Sequence, residues 1–359
     1  SFQKIYFDPY IFFSLFLLST LGLFFLFSAS NADVTIVSKQ FVYVIAGFII
    51  MILVSQLDPD IFRRMSGLFL FFALILLGIT YLFGPEINGA QRWVRVGPFS
   101  FQSSELLKLA VPIFLANFLF DKKLPIQRKE IIFSFLLIFS CFFFVFIQPD
   151  LGTALIIACS GLFVLFLSGL SWSFIGGSFV LLIISSPFIW NILLQPFQRQ
   201  RIATFFNPDS DPFGASWNII QSKVAIGSGG LLGKGFGEGS QTQLNFLPET
   251  ETDFIFSVIG EEFGFLGVLL LISIYLFILL RCFYFALSAR DRFCRLVIGG
   301  LSLTFAANLI INLCMVVGLL PVVGMPLPFI SKGGSSLLSL FIAFGIIVSM
   351  GTHKKFLPQ

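Results

Sequence analysis

The stretch FSVIGEEFGFLGVLLLISIYLFILLRCFYF, running from Phe256 to Phe285, decides the fold. A bilayer core about 30 Å thick is crossed by roughly 20 helical residues. This run is longer than that and carries only Glu261, Glu262 and Arg281 as charges, so it reads as a membrane-spanning helix. Working outward, similar apolar runs lie at about 10–29, 40–57, 67–84, 105–120, 131–148, 151–168, 172–194, 297–319 and 334–351, making ten in all. Ser28-Ala29-Ser30 faintly resembles a signal cleavage site, but the apolar stretch before it is too long and others follow, so the first run is read as a retained helix.

Composition excludes a water-soluble fold. Of the 359 residues 57% are hydrophobic and only 11% are charged, too few polar side chains to cover the outside of a soluble chain of this size. The 51 phenylalanines suit a lipid-facing surface. Cys141, Cys159, Cys282, Cys294 and Cys314 show no C-x-x-C pairing, which leaves no support for a disulfide framework or a zinc site. With His353 the single histidine, chemistry must fall to carboxylates, lysine, arginine or hydroxyls. A net charge of +4 is too small to argue for nucleic acid.

Ten spans put both termini on one side of the membrane. The connections on that side hold Arg63, Arg64, Lys122, Lys123, Arg128, Lys129, Arg290, Arg292 and Arg295, with Lys4, Lys354 and Lys355 at the chain ends. The short connections opposite carry only Lys39, Arg92, Arg95 and Lys332. Lys and Arg concentrate in cytoplasmic connections, so the expectation is an all-α polytopic membrane protein with both termini cytoplasmic. It forms one membrane domain over residues 1–359, with one large extracytoplasmic loop at about 195–255.

Polar residues outside that charge pattern are expensive in a membrane and are functional candidates. Glu105 and Lys108 are three apart and share a helix face, which fits a charged pair lining a polar cavity or a structural ion pair with Ser104 capping the helix. Asp150, in the tight turn Gln148-Pro149-Asp150, is placed to cap the following helix. The long loop mixes apolar with polar residues and reads as ordered. Its glycine cluster at 227–235 is not a P-loop, since Ser228 stands where a glycine is needed and Gly235 follows Lys234; it forms tight turns or an anion-binding nest. Asp253, at the start of the eighth span beside Phe254 and Phe256, would be partly desolvated, which raises a carboxyl toward the range of a working base; a neighbouring Thr252 cap is the plainer reading. Residues 318–336 hold three prolines and four glycines before Ser335 and cannot form a continuous helix, so they read as a re-entrant segment lining a site.

These segments, in this order on ten spans, resemble the SEDS family of bacterial cell-wall polymerases over nearly the whole chain. The likeness is sharpest in Asn218-Ile219-Ile220-Gln221-Ser222-Lys223 through Gly227-Ser228-Gly229-Gly230 to Gly233-Lys234-Gly235, in Phe246-Leu247-Pro248-Glu249 with Thr252-Asp253-Phe254, and in Leu320-Pro321 to Ser335. It is closer to the elongation branch than to the division branch. The resemblance implies a glycosyltransferase joining lipid II units into peptidoglycan strands at the outer face of the bacterial cytoplasmic membrane, the acceptor's 4-hydroxyl attacking with inversion. By the family's motif Asp253 is the essential carboxylate and is assigned as general base. The same resemblance puts Glu105, Lys108, Asp150, Ser331, Gly333, Gly334 and Ser335 at the substrate cavity. Arg92, Lys108, Arg199, Arg201 and Lys223 are the candidates to steady the departing diphosphate. No metal ligand is assigned and the cofactor is unknown; a divalent cation at the diphosphate is compatible with the chemistry but nothing in the sequence requires one. The implied partners are lipid II, membrane lipids, a class B penicillin-binding protein that crosslinks the strands, and other elongation-complex proteins.

Two positions depart from the family pattern. Ser103 stands where proline is usual, and Lys332 where an aromatic is common, and no role is transferred to Lys332. Two other classes compete: a flippase for lipid-linked precursors, which would need a polar path to the cytoplasmic side, and a non-catalytic scaffold, which gives no reason for Asp253.

Overall fold

The computed structural model describes residues 6–353 apart from 88–89, 97–98, 125, 208–215, 244–247 and scattered positions between 172 and 195. Its elements in chain order are α1 Pro9–Ala29, α2 Val34–Ser55, α3 Pro59–Phe83, β1 Glu86–Ile87, β2 Ala90–Gln91, β3 Trp93–Val96, β4 Phe99–Gln102, α4 Ser104–Leu119, α5 Arg128–Ile147 and α6 Leu151–Leu167. There follow α7 Pro196–Phe206, α8 Trp217–Ser228, α9 Ser240–Gln243, α10 Ile255–Leu287, α11 Arg292–Val316 and α12 Ser335–Thr352. Among the described residues, α1, α2, α3, α5, α10, α11 and α12 are the seven helices long and apolar enough to cross a membrane, with α6 a shorter apolar helix. The expected run at 172–194 lies largely outside the described residues.

Helices α2 and α3 start well before the apolar runs at 40 and 67 because polar caps open them. Asp33 accepts from the Thr35 amide at 2.8 Å and Asp58 from the Asp60 amide at 2.8 Å. Each such cap is worth about 1 kcal/mol, and the turns it starts are cut off from the main apolar runs by Ser38-Lys39-Gln40 in α2 and by Arg63-Arg64 in α3. Ser104 is not a cap: it is the first residue of α4, and Ser103 before it makes no side-chain cap bond. Nor does Thr252 cap α10, whose N-cap is Phe254. An all-α expectation also missed two short antiparallel ribbons, β1 with β2 and β3 with β4, the second pairing Trp93 with Gln102 and Arg95 with Ser100.

The bundle is apolar outside as well as inside. On α3, Leu68, Phe71, Phe72, Ile75, Ile79 and Leu82 are exposed, while Ser66, Leu70, Ala73, Leu77 and Thr80 are buried. Both sets recur at helical spacing, but the outward set is the more hydrophobic, as a lipid-facing helix requires. Helices α11 and α12 are the most enclosed of the seven. Between them Phe305, Phe329, Phe341 and Phe344 meet ring to ring, with centroids 5.1–6.2 Å apart.

Helix α10 is broken at Gly264, where φ is 62° and ψ is −159°. The break frees backbone groups that the glycine-rich connection after α8 satisfies. Lys234 and Gly235 amides donate to the Glu261 and Glu262 carbonyls at 3.0 Å, and Phe265 and Leu266 amides donate to the Gly230 and Leu231 carbonyls at 2.9 and 3.1 Å. The buried Glu261 carboxylate locks the same connection by accepting from Lys234 Nζ at 2.7 Å and from the Gln241 and Thr242 amides at 3.0 and 3.2 Å. The amides of Gly233, Lys234 and Gly235 are therefore committed within the protein, and this cluster is docked turns instead of an anion nest.

At the far end of α10 and α11, Arg281 pairs with Asp8, Arg290 with Asp60 at 2.9 Å, and Arg292 donates to the Lys122 carbonyl at 2.6 Å. A Cβ at position 264 would sit 2.3 Å from the Gly233 nitrogen, in a backbone region only glycine favours. Gly264→Ala is therefore expected to destabilise the detergent-solubilised protein by at least about 2 kcal/mol, seen as a lower thermal unfolding midpoint.

Candidate active site

The β3–β4 ribbon sets Trp93 opposite Gln102 and so carries Arg92, Trp93 and Gln102 to the start of α4. There Lys108 donates to Glu105 Oε1 at 2.6 Å, and Ser339 of α12 donates to Glu105 Oε2 at 2.7 Å. Across from them Asp150 caps α6 through the Thr153 amide at 3.2 Å and accepts from Gln102 Nε2 at 2.6 Å. Arg92 closes the turn before α6 by donating to the carbonyls of Gln148, at 2.9 Å, and Pro149. Gly152 lets α6 press against the chain at Val323, whose carbonyl oxygen would lie 2.7 Å from any added Cβ.

The opposite wall is residues 317–334, which join α11 to α12 without helix. Irregular backbone inside a bundle survives only when protein groups satisfy it. Gln40 of α2 reads this segment like a backbone, its Nε2 donating to the Ser331 carbonyl and its Oε1 accepting from the Gly333 amide, both at 3.2 Å. Tyr275 of α10 donates to the Pro328 carbonyl. Ser331 accepts from the Leu327 amide at 2.8 Å and donates to the Thr252 carbonyl, while the Lys332 amide donates to the Glu251 carbonyl at 2.8 Å. Asn312 of α11 donates to the backbone carbonyls of Asp253 and Met325 at 3.0 and 2.6 Å. These bonds strap the segment onto the turn 249–254 that carries Asp253.

The walls enclose a cavity of about 280 Å³ lined by three cations, Arg92, Lys108 and Lys332, and three carboxylates, Glu105, Asp150 and Asp253. Glu105 is held by Lys108 and Ser339, and Asp150 by Gln102 and its capped helix. Lys332 Nζ lies 2.6 Å from Glu251 Oε2. Asp253 differs: among the described residues nothing donates a hydrogen bond to its carboxylate. Burial raises its carboxyl from 3.8 to about 6, with the charge of Glu249 adding to the rise and Arg201 opposing it. A carboxylate tuned there is ionised at neutral pH yet basic enough to take a proton in a transition state.

Sequence candidates Glu105, Lys108, Asp150, Arg92, Asp253, Ser331, Gly333, Gly334 and Ser335 all line this cavity. Arg201 lines an adjoining space of about 150 Å³ that shares Arg92, Asp150 and Gly324 with the first, and donates to the Val322 carbonyl at 3.2 Å. Arg199 and Lys223 line neither. The Arg199 guanidinium donates to the carbonyls of Leu194 and Asn191 at 3.0 and 2.9 Å, and Lys223 lies against Gly318. Sequence reading took Thr252 for a cap, named Gln102 and Ser336 only within longer segments, and passed over Asn308 and Asn312. Asn308 and Asn312 carried a usable signal, two amides one helical turn apart in an otherwise apolar run.

Beyond Lys108 and Ser339 the interior narrows to about 30 Å³ among Leu301, Phe305, Phe344 and Ile347. That is room for about one water, and Thr304 and Asn308 are the polar side chains that line it with Lys108 and Ser339. Among the described residues no group of three or more His, Cys, Asp or Glu side chains converges as a metal site.

The sequence profile described as cell cycle protein, for FtsW, RodA and SpoVE, matches residues 8–356. The chain is 42% identical to the peptidoglycan glycosyltransferase MrdB of Escherichia coli strain K12, over 99% of this chain and 96% of that protein. It is 35% identical to the stage V sporulation protein E of Bacillus subtilis strain 168, over 95% of each. A chain from a peptidoglycan synthase complex that coordinates polymerization and crosslinking superposes with a TM-score of 0.84 at 29% identity, covering 96% of this chain and 97% of that one. The rod shape determining protein RodA of Thermus thermophilus superposes with a TM-score of 0.74 at 27% identity, covering 97% and 98%.

Removing one member of a buried ion pair costs about 3 kcal/mol because the other charge is left uncompensated. Glu105→Leu is therefore expected to lower the unfolding midpoint in detergent, and adding Lys108→Leu is expected to restore most of it. A double-mutant cycle in which the two losses simply add would show that the pair is not coupled.

Proposed function

From the premise that the chain belongs to the cell cycle protein family of FtsW, RodA and SpoVE, and is a multi-pass membrane protein and peptidoglycan glycosyltransferase, we propose that the Asp253 cavity is where lipid II units are joined. The observation that carries this reading is Asp253 itself, a cavity-lining carboxylate with no hydrogen-bond donor among the described residues, raised to about 6 and sharing its cavity with three cations. Asp253 takes the proton of the acceptor's 4-hydroxyl as that oxygen bonds to the donor's anomeric carbon from the face opposite the leaving group. The carbon–oxygen bond to the undecaprenyl diphosphate breaks in the same step, so the configuration inverts. Arg92, Lys108 and Lys332, with Arg201 in the adjoining space, balance the charge that gathers on the diphosphate.

The finer topology belongs to the same proposal: one membrane domain of ten spans, both termini cytoplasmic, with the cavity on the outer side and residues 318–336 re-entrant. The likeness to MrdB supports the elongation and rod-shape branch. Similarity to a chain from a complex that couples polymerization to crosslinking supports a class B penicillin-binding protein, with other elongation-complex proteins, as partner. The narrowing to about 30 Å³ beyond Lys108 counts against a flippase, which would need a wide polar path through the bundle.

Purified protein given lipid II is expected to make glycan polymer, and Asp253→Asn to slow it at least about 100-fold. The same substitution is not expected to weaken the fold. A raised carboxyl binds its proton more tightly in the folded state, so its stabilisation is full below about 4 and lost as pH rises through about 6. At pH 7.5 the neutral asparagine removes that loss, and the unfolding midpoint should equal or exceed that of the wild type. Wild-type polymer yield from Asp253→Asn would sink the assignment.

A further inference from the structure

We infer that Asn312 is a positioning residue, which holds the Asp253 carboxylate in register with the wall formed by residues 317–334. The inference rests on the reading of Asp253 as base and extends it to a residue that does not line the Asp253 cavity.

Asn312 is fully buried near the end of α11. Its amide nitrogen has two hydrogens, and both are used: one on the Asp253 carbonyl and one on the Met325 carbonyl. Its carbonyl oxygen is buried without a hydrogen-bond partner among the described residues. An orphaned acceptor costs roughly 1–3 kcal/mol, and a leucine of similar shape at this position would avoid that cost. The double donor is thus what the position supplies, and its two acceptors belong to the two chain segments that meet at the cavity.

Ser331 and Lys332 already tie the far end of the wall to the Thr252 and Glu251 carbonyls, and Asn312 adds the tie that reaches Asp253 itself and the Met325 side of the wall. The turn before α10 has Glu249 at a φ of 55°, an unfavourable conformation for a non-glycine residue, and is closed by the Thr252 and Phe254 amides donating to the Glu249 carbonyl at 3.2 Å. The wall opposite reaches the carboxylate at Gly324, where φ is 71° and an added Cβ would stand 3.5 Å from Asp253 Oδ2. Gly324 adjoins Met325, so the Asn312 amide ties Asp253 to the part of the wall that stands against its carboxylate, whereas the Ser331 and Lys332 ties act at the neighbouring Thr252 and Glu251. A displacement of about 1 Å in a reacting group is enough to cost on the order of 100-fold in rate.

Loss of the clamp should also change the surroundings of the carboxyl. The charged groups facing Asp253 are Glu249 and Glu251 of its own turn, Arg201 of α7, Lys332 of the wall, and Glu105, Lys108, Arg92 and Asp150 across the cavity. Opening the contact admits water, which relieves the burial that raises the carboxyl and moves it toward the ordinary range.

The experiment compares purified wild type, Asn312→Leu and Asp253→Asn in lipid II polymerisation across pH 5 to 8, with unfolding midpoints alongside. For Asn312→Leu the expected result is turnover reduced at least tenfold, KM for lipid II within about threefold of wild type, and the acidic limb of the rate profile moved down by half a pH unit or more. Where the leucine variant does not fold, Asn312→Ser, which keeps one donor, should show a smaller loss with a shift in the same direction. A folded variant with wild-type turnover, or one whose rate falls while the acidic limb stays in place, overturns the inference and leaves Asn312 a packing residue. Should Asp253→Asn remain active, the base itself is misassigned; should Asp253→Asn be inactive while Asn312→Leu behaves as wild type, only the Asn312 inference fails.

Discussion

A backbone amide or carbonyl without a partner costs several kcal/mol where there is no water to supply one, so a membrane bundle must close every hydrogen bond from within. Among the described residues, the chain leaves regular helix at Gly264 and over residues 317–334, and both places are paired by protein groups. The break at Gly264 is filled by the backbone of residues 230–235. Residues 317–334 are filled instead by side chains that imitate backbone, Gln40, Asn312, Tyr275 and Ser331. Both repairs converge on helix α10, one through its start and one through its middle, and the turn carrying Asp253 is the part of the chain they leave facing the cavity.

The same shortage of water decides how charge is handled. Glu105 and Lys108 share an ion pair, Glu261 collects donors from the docked connection, and Asp150 is spent on a helix cap and Gln102. Each of these carboxylates has its oxygens committed. Asp253 has burial without a hydrogen-bond donor among the described residues, and that imbalance leaves its carboxyl high. The cations that line the same cavity are held by their neighbours, Arg92 by the Gln148 and Pro149 carbonyls, Lys108 by Glu105 and Lys332 by Glu251.

Much of this was legible from residue order alone. Apolar runs located α1, α4, α6, α10 and α12 closely, because a membrane-spanning helix is apolar along most of its length and its ends are marked by polar residues, whereas the start of α11 was missed because Arg292 and Arg295 lie in its first turn. The starts of α2 and α3 were not legible, since Ser38-Lys39-Gln40 and Arg63-Arg64 interrupt hydropathy a turn or more after each helix begins. Strands β1 to β4 are only two to four residues long, too short for an alternating pattern to rise above the charges beside them. At the site, Asp253, Glu105, Lys108 and Asp150 stood out as charges without a topological reason. Arg199 and Lys223 carried the same signal, yet a sequence does not say where a long side chain turns, and theirs turn to backbone carbonyls and to Gly318. Asn312 carried a signal as an amide in an apolar run, but not its role, since its partners are carbonyls that only the folded chain brings together.

The central claim is that Asp253 is a desolvated carboxyl poised to accept a proton near neutrality. Infrared difference titration of the detergent-solubilised protein measures it directly, through the protonated-carboxyl stretch that is present in wild type and missing from Asp253→Asn. The account predicts that this band titrates with a midpoint of about 6. A midpoint near 4, the ordinary range of an exposed aspartate, would contradict it.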